Sequence, residues 1–174
     1  MKRALSSLSE SELRQLVSAL CAANKENALL AEMFINRNRA GSLDEFKDKI
    51  DKAFEYKFGR HGSFDKKWSF REAKRCLALF KKFSSNPTEI AELHVYAAET
   101  GNSITMDLGD VEDNYYTAME NLFESACGLV AALPETPDSE KLRLRLKNMM
   151  DETSGIGWGY HDTLGDLYFE KFED

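Results

Sequence analysis

A chain of 174 residues, 43% hydrophobic and 30% charged, has apolar material for one ordinary core and too much to stay disordered. Three prolines and ten glycines argue against a β-sandwich or a collagen-like chain, and no apolar run approaches a membrane span. The net charge of −7 hides a segregation: 1–82 hold 18 Lys and Arg against 11 Asp and Glu, whereas 83–140 hold 12 acidic residues and no basic ones. A polarised surface is expected, which bears on partners rather than on chemistry.

The opening Met1-Lys2-Arg3-Ala4-Leu5 has basic residues but no apolar run behind them, so a cytoplasmic chain without a secretory signal is expected. Cys21, Cys76 and Cys127 lie far apart, odd in number and in no metal-ligand spacing, and read as small buried hydrophobes in a reducing compartment.

Ser9 with Glu12 reads as a capping box, and Leu13, Leu16, Val17 and Leu20 behind it form one apolar stripe of a helix. A second helix is predicted from near Asn24, carrying Leu29, Leu30, Met33 and Phe34, and ending in the polar stretch 36–41. Ser42 with Glu45 opens a third, whose buried face is Leu43, Phe46, Ile50 and Phe54. Residues 59–68 read as the first true loop. Ser69 with Glu72 then caps a helix bearing Phe70, Ala73, Leu77 and Phe80. Asn86-Pro87 starts the next one, because proline at the first helical position loses only an unpartnered amide. Ile90, Leu93 and Ala97 give its stripe, Gly101 is placed at its left-handed C-cap, and 101–112 become a connection. Within that connection, 103–108 is the one place where a short extended piece is expected. The longest periodic segment follows, from Tyr115 to Leu133, broken by Pro134 and Pro137. Leu142, Leu146, Met149 and Met150 mark another helix, and Leu164, Leu167, Tyr168 and Phe172 the last. The expectation is all-α: about eight helices in a single domain over 1–174, either a closed bundle or a short stack of helix pairs.

The least ordinary stretch is 155–162, Gly-Ile-Gly-Trp-Gly-Tyr-His-Asp. Three glycines in five positions turn backbone amides toward an anion, and a helix start follows. No strand precedes them, so a dinucleotide fingerprint is rejected. Trp158, His161, Asp162 and Asp166 are the candidate ligand- or partner-binding residues, against a plainer reading in which Trp158 plugs the core. Asp162 and Asp166 share a helix face while His161 points elsewhere, so no metal site is expected. His94, among Ile90, Leu93 and Ala97, reads as a hydrogen-bonded core histidine. The acidic loop with Asp107, Asp110, Glu112 and Asp113 lacks the ligand spacing of a calcium loop.

Nine Lys and Arg fall between Lys57 and Lys82, with Phe64 and Trp68 among them. Lys66, Lys67, Arg71 and Arg75 are the candidate phosphate ligands, and aromatics beside them suit base stacking. The competing reading is a solvated or internally paired helix face. Nucleophile-elbow, P-loop, zinc-protease and deaminase patterns do not occur, so neither a cofactor nor catalysis is supported.

Tyr115-Tyr116 with Met119-Glu120 and Phe123, followed by the 155–162 segment with Leu164, Asp166, Leu167 and Tyr168, resembles a bacterial all-helical family of unknown function. The basic stretch at 57–75 and the Asn86-Pro87 helix start match the same outline. That resemblance implies no activity and assigns no residue a role. The leading expectation is a non-enzymatic protein-interaction module, with self-association as one mode. The second is a nucleic-acid-associated protein using 57–82, and the third a small-ligand binder or enzyme centred on 155–166.

Overall fold

A computed structural model describes residues 5–36, 42–60, 63–109, 111–157 and 159–173. His61, Gly62, Asp110 and Trp158, the ends of the chain and 37–41 lie outside the described residues, as do the side chains of Leu29, Met33, Asn36, Ser42 and Asp113. The chain divides into two compact units, 1–42 and 43–174. Among the described residues are eight helices and one two-stranded sheet. The all-α reading holds. No described helix is long and apolar enough to cross a membrane.

The first unit holds α1 (Glu10–Ala23) and α2 (Lys25–Asn36), which pack on each other. The Ser9 hydroxyl accepts from the Glu12 amide while the Glu12 carboxylate takes the Ser9 amide at 2.7 Å, so the capping box forms as expected. Asn24 ends α1, and its side chain accepts from the Glu26 amide at 2.8 Å to start α2.

The second unit begins with α3 (Ser42–Phe54), whose face of Phe46, Ile50 and Phe54 is fully buried. The loop expected at 59–68 contains a hairpin instead. Its strands β1 (Lys57–Phe58) and β2 (Phe64–Lys66) pair antiparallel, with the Phe58 and Phe64 rings stacked 4.9 Å apart. Strands of two and three residues are too short to show an alternation in the sequence. Ser69 then caps α4 (Phe70–Phe83) through the Glu72 amide.

Helix α5 (Pro87–Leu108) departs most from expectation. It is 22 residues long and runs straight through Gly101 and the 103–108 segment, where extended chain was expected. The left-handed cap belongs to Gly109, at φ 73°, whose amide donates to the Thr105 carbonyl. Gly101 serves packing: a Cβ there would sit 2.5 Å from Met119 Sδ and 3.3 Å from Phe54 Cζ. The glycine lets helix α6 (Asp113–Ala131) approach α5 closely.

Helix α7 (Pro137–Glu152) opens on a reciprocal cap between Thr136 and Ser139, and α8 (Tyr160–Phe172) closes the chain. Leu93 and Ala97 of α5, Met119 and Phe123 of α6, Leu146 of α7 and Leu164 of α8 are all fully buried. Burial of such side chains, at about 1.5–3 kcal/mol each, supplies the main drive for this unit.

Candidate functional site

The 153–166 junction is built mainly as a structural joint. His161 Nδ1 lies 3.0 Å from the Met150 carbonyl and 3.1 Å from Thr153 Oγ1, tying the start of α8 to the end of α7. Thr153 is buried and donates to that same Met150 carbonyl. Asp162 and Asp166 are exposed on α8. Gly155 and Gly159 have φ of 91° and 71°, so the turn needs glycine at both places. Trp158, the fourth candidate here, lies outside the described residues. His94 is buried with Nδ1 2.7 Å from the Ile90 carbonyl; burial holds its pKa below the usual value, and Lys81 acts in the same direction.

Each of the four candidate phosphate ligands has a carboxylate beside it. Lys66 Nζ meets Glu55 at 2.5 Å, and Lys67 Nζ meets Glu112 at 2.9 Å. Arg71 and Arg75 flank Glu72 at 3.8 and 3.5 Å. Lys67 also lies over the Phe64 and Trp68 rings, 5.4 and 5.5 Å from their centroids. Half-exposed Phe58 and its stacked partner Phe64 stand at the edge of this cluster. Surface pairs of this kind are worth little each, and three carboxylates beside four cations offset only part of the positive potential that the sequence suggested.

Two features escaped the sequence reading. The first is a charge network across three helices. Arg145 of α7 donates from Nε and Nη2 to both Glu99 oxygens, at 2.8 and 2.5 Å, and from Nη1 to Glu92 at 2.5 Å. Lys47 of α3 holds the other Glu92 oxygen at 2.7 Å. Beside this network, α5 and α7 border a cleft of about 390 Å³.

The second is that the expected apolar stripe of α1 stays uncovered. No residue of that helix is buried. Leu13, Leu16, Val17 and Leu20 are 36%, 37%, 47% and 48% exposed, and Phe34 and Ile35 of α2 are 61% and 78% exposed. An amphipathic stripe of this regularity normally faces a core. Here it faces outward.

Comparison with family models, curated proteins and solved structures finds no match for this chain.

Proposed function

We propose that the protein is a non-enzymatic, cytoplasmic interaction module that associates with a second copy of itself through the α1–α2 hairpin. The carrying observation is the outward stripe of Leu13, Leu16, Val17 and Leu20. Two helices of 14 and 12 residues cannot enclose a core of their own, because each leaves one side of the other uncovered. A two-fold related hairpin supplies the missing side and completes four helices around one apolar seam. Residues 10–36 carry four acidic and two basic side chains, too little charge to favour an oppositely charged partner or to keep two copies apart.

The magnitude is modest. The six side chains are a third to three-quarters exposed, so covering them contributes about 1 kcal/mol each. Doubled by symmetry, that is about 12 kcal/mol, which against an association cost of ~4 kcal/mol or more leaves a dimer of micromolar affinity at best.

Groups of the kind catalysis uses are engaged structurally, which supports the non-enzymatic reading. His94 and His161 are bonded to main-chain carbonyls. Burial pushes the Cys76 thiol up to about 11 and Cys127 to about 12, far from the thiolate a nucleophile needs.

Sedimentation velocity across roughly 1–200 µM tests the dimer. The expected result is a mass rising from one copy toward two, and a Leu16→Glu/Leu20→Glu variant that stays single with its main melting transition unchanged. A wild type that remains single throughout would defeat the proposal. So would a double variant whose main transition drops, because the stripe would then be covered by the chain itself.

A second reading is carried by the Phe58–Phe64 stack among Lys57, Lys66 and Lys67, a small platform for single-stranded nucleic acid. If it operates, Phe58→Ala should weaken binding of a single-stranded oligonucleotide by about 1–3 kcal/mol, and affinity should fall steeply with salt. Unretarded oligonucleotide at low salt removes this reading.

A further inference from the structure

The cleft between α5 and α7 has a chemistry independent of the hairpin. Asn102 lies at its floor, only 2% exposed, with Oδ1 accepting from the Tyr160 hydroxyl at 3.2 Å. Tyr160 is itself wholly buried, so this bond fixes which way the amide faces. Among the described residues no acceptor takes the Nδ2 side of that amide. Among the described residues the one fully buried side-chain polar atom without a partner is Thr105 Oγ1, so Asn102 Nδ2 opens onto the solvent of the cleft. A group that enters the cleft bearing a hydrogen-bond acceptor can take that N–H in place of water.

The charges around it select the rest of the ligand. Both Glu99 oxygens are held by Arg145, so that pair is neutral toward a visitor. Asp107 and Glu152, at the rim, have no cationic partner among the described residues, although Asp107 Oδ2 accepts from the Tyr56 hydroxyl at 3.3 Å. Both stand in the last turns of their helices, and neither last turn holds a basic residue. The two helix C-termini add partial negative charge to these two carboxylates. Met106, 43% exposed, and Met149 give the wall an apolar strip.

We propose that this cleft binds a small organic cation that carries a neutral acceptor: an alkylamine with an amide or hydroxyl oxygen a few methylenes from its nitrogen. Asp107 and Glu152 hold the ammonium, the Asn102 amide donates to the oxygen, and the methionines cover the methylenes. A carboxylate in place of the neutral acceptor is repelled by the same rim. A volume of about 390 Å³ holds a ligand of this size and excludes a folded partner.

The test uses three matched probes on the full chain, followed by amide NMR titration at low salt. 6-Aminohexanamide has both groups, hexylamine only the cation and hexanamide only the acceptor. The expected order is 6-aminohexanamide tightest, hexylamine about five- to tenfold weaker, and hexanamide without saturable shifts, with the shifts centred on α5 and α7. Asn102→Leu should bring 6-aminohexanamide down to the level of hexylamine. Glu152→Gln, at an exposed helix end where the fold does not depend on it, should weaken both amines about fivefold and flatten their salt dependence. Hexanamide binding as well as the amines would overturn the proposal. Failure of 6-aminohexanamide to saturate, shifts centred elsewhere, or indifference to Glu152→Gln would do the same.

Discussion

Replacing Tyr115 by alanine is expected to cost about 3–5 kcal/mol, the usual range for emptying a buried aromatic site. The side chain is 1% exposed at the start of α6. Its ring meets Trp68 and Phe70 edge-on, each with centroids 5.0 Å away, so it joins the hairpin segment and α4 to the long helices. A domain of this size has only about 5–15 kcal/mol of net stability, and the variant should melt far below wild type or fail to fold. Tyr115→Phe should behave quite differently. The hydroxyl donates to the Gly101 carbonyl at 2.6 Å, a bond worth about 1 kcal/mol. Thr105, four residues on from Gly101, is fully buried, and its hydroxyl lies beside Tyr115 without reaching any partner at hydrogen-bond geometry. A helical threonine commonly bonds the carbonyl four residues back, and here Tyr115 occupies it. Removing the phenol oxygen frees that carbonyl for Thr105, so the cost should fall below about 1 kcal/mol. Thermal melts of the two variants beside wild type check both values. Equal losses would show that the hydroxyl, rather than the ring, holds the helices together.

How much of this was legible from the residues depends on whether the signal was local. The stripe Phe70, Ala73, Leu77 and Phe80 announced α4, since periodicity and burial coincide at all but half-buried Phe70. Gly101-Asn102-Ser103 reads as loop by composition, yet Gly101 and Asn102 are buried in the middle of α5. Gly101 makes room for Met119, which approaches from another element, a fact with no trace in its own neighbourhood. The hairpin was missed because its strands are shorter than any alternation can reveal. The candidate sites divide the same way. His94 was correctly placed in the core from its apolar neighbours. The outward stripe of α1 was read correctly as a stripe, but no sequence states whether a stripe will be covered. Glu92 and Glu99 are seven apart and so share a face of α5, a signal that was available. Their partner Arg145 lies 46 residues beyond Glu99, and only the fold brings it there.

Arg145→Met is expected to be the most damaging surface-proximal change, at about 2–4 kcal/mol. Methionine keeps the apolar stem and removes the guanidinium that joins α7 to both glutamates of α5. Glu99 is then left without its cation, while Glu92 retains Lys47. Breaking a fully buried pair costs about 3–5 kcal/mol. The side chains here keep between 20% and 33% of their exposure, so water recovers part of that and the lower range applies. The pH dependence identifies the mechanism. Burial pushes the Glu92 carboxyl up, but the Lys47 bond and the Arg145 charge pull harder, and its pKa falls below the ordinary 4.5. A carboxylate with a lowered folded-state pKa stabilises fully above its unfolded value, and that stabilisation is lost as pH falls through the folded value. Arg145 stays charged throughout, held further toward its charged form by Glu99. The titration that matters in this network is therefore that of Glu92. Wild type should lose melting temperature as pH falls from about 5 to below 4, and Arg145→Met should lose less over the same window while starting lower. Melts at pH 7, 5 and 3.5 separate the outcomes. Parallel curves for the two proteins would mean that Arg145 acts through packing alone, and that the network contributes no charge-dependent stability.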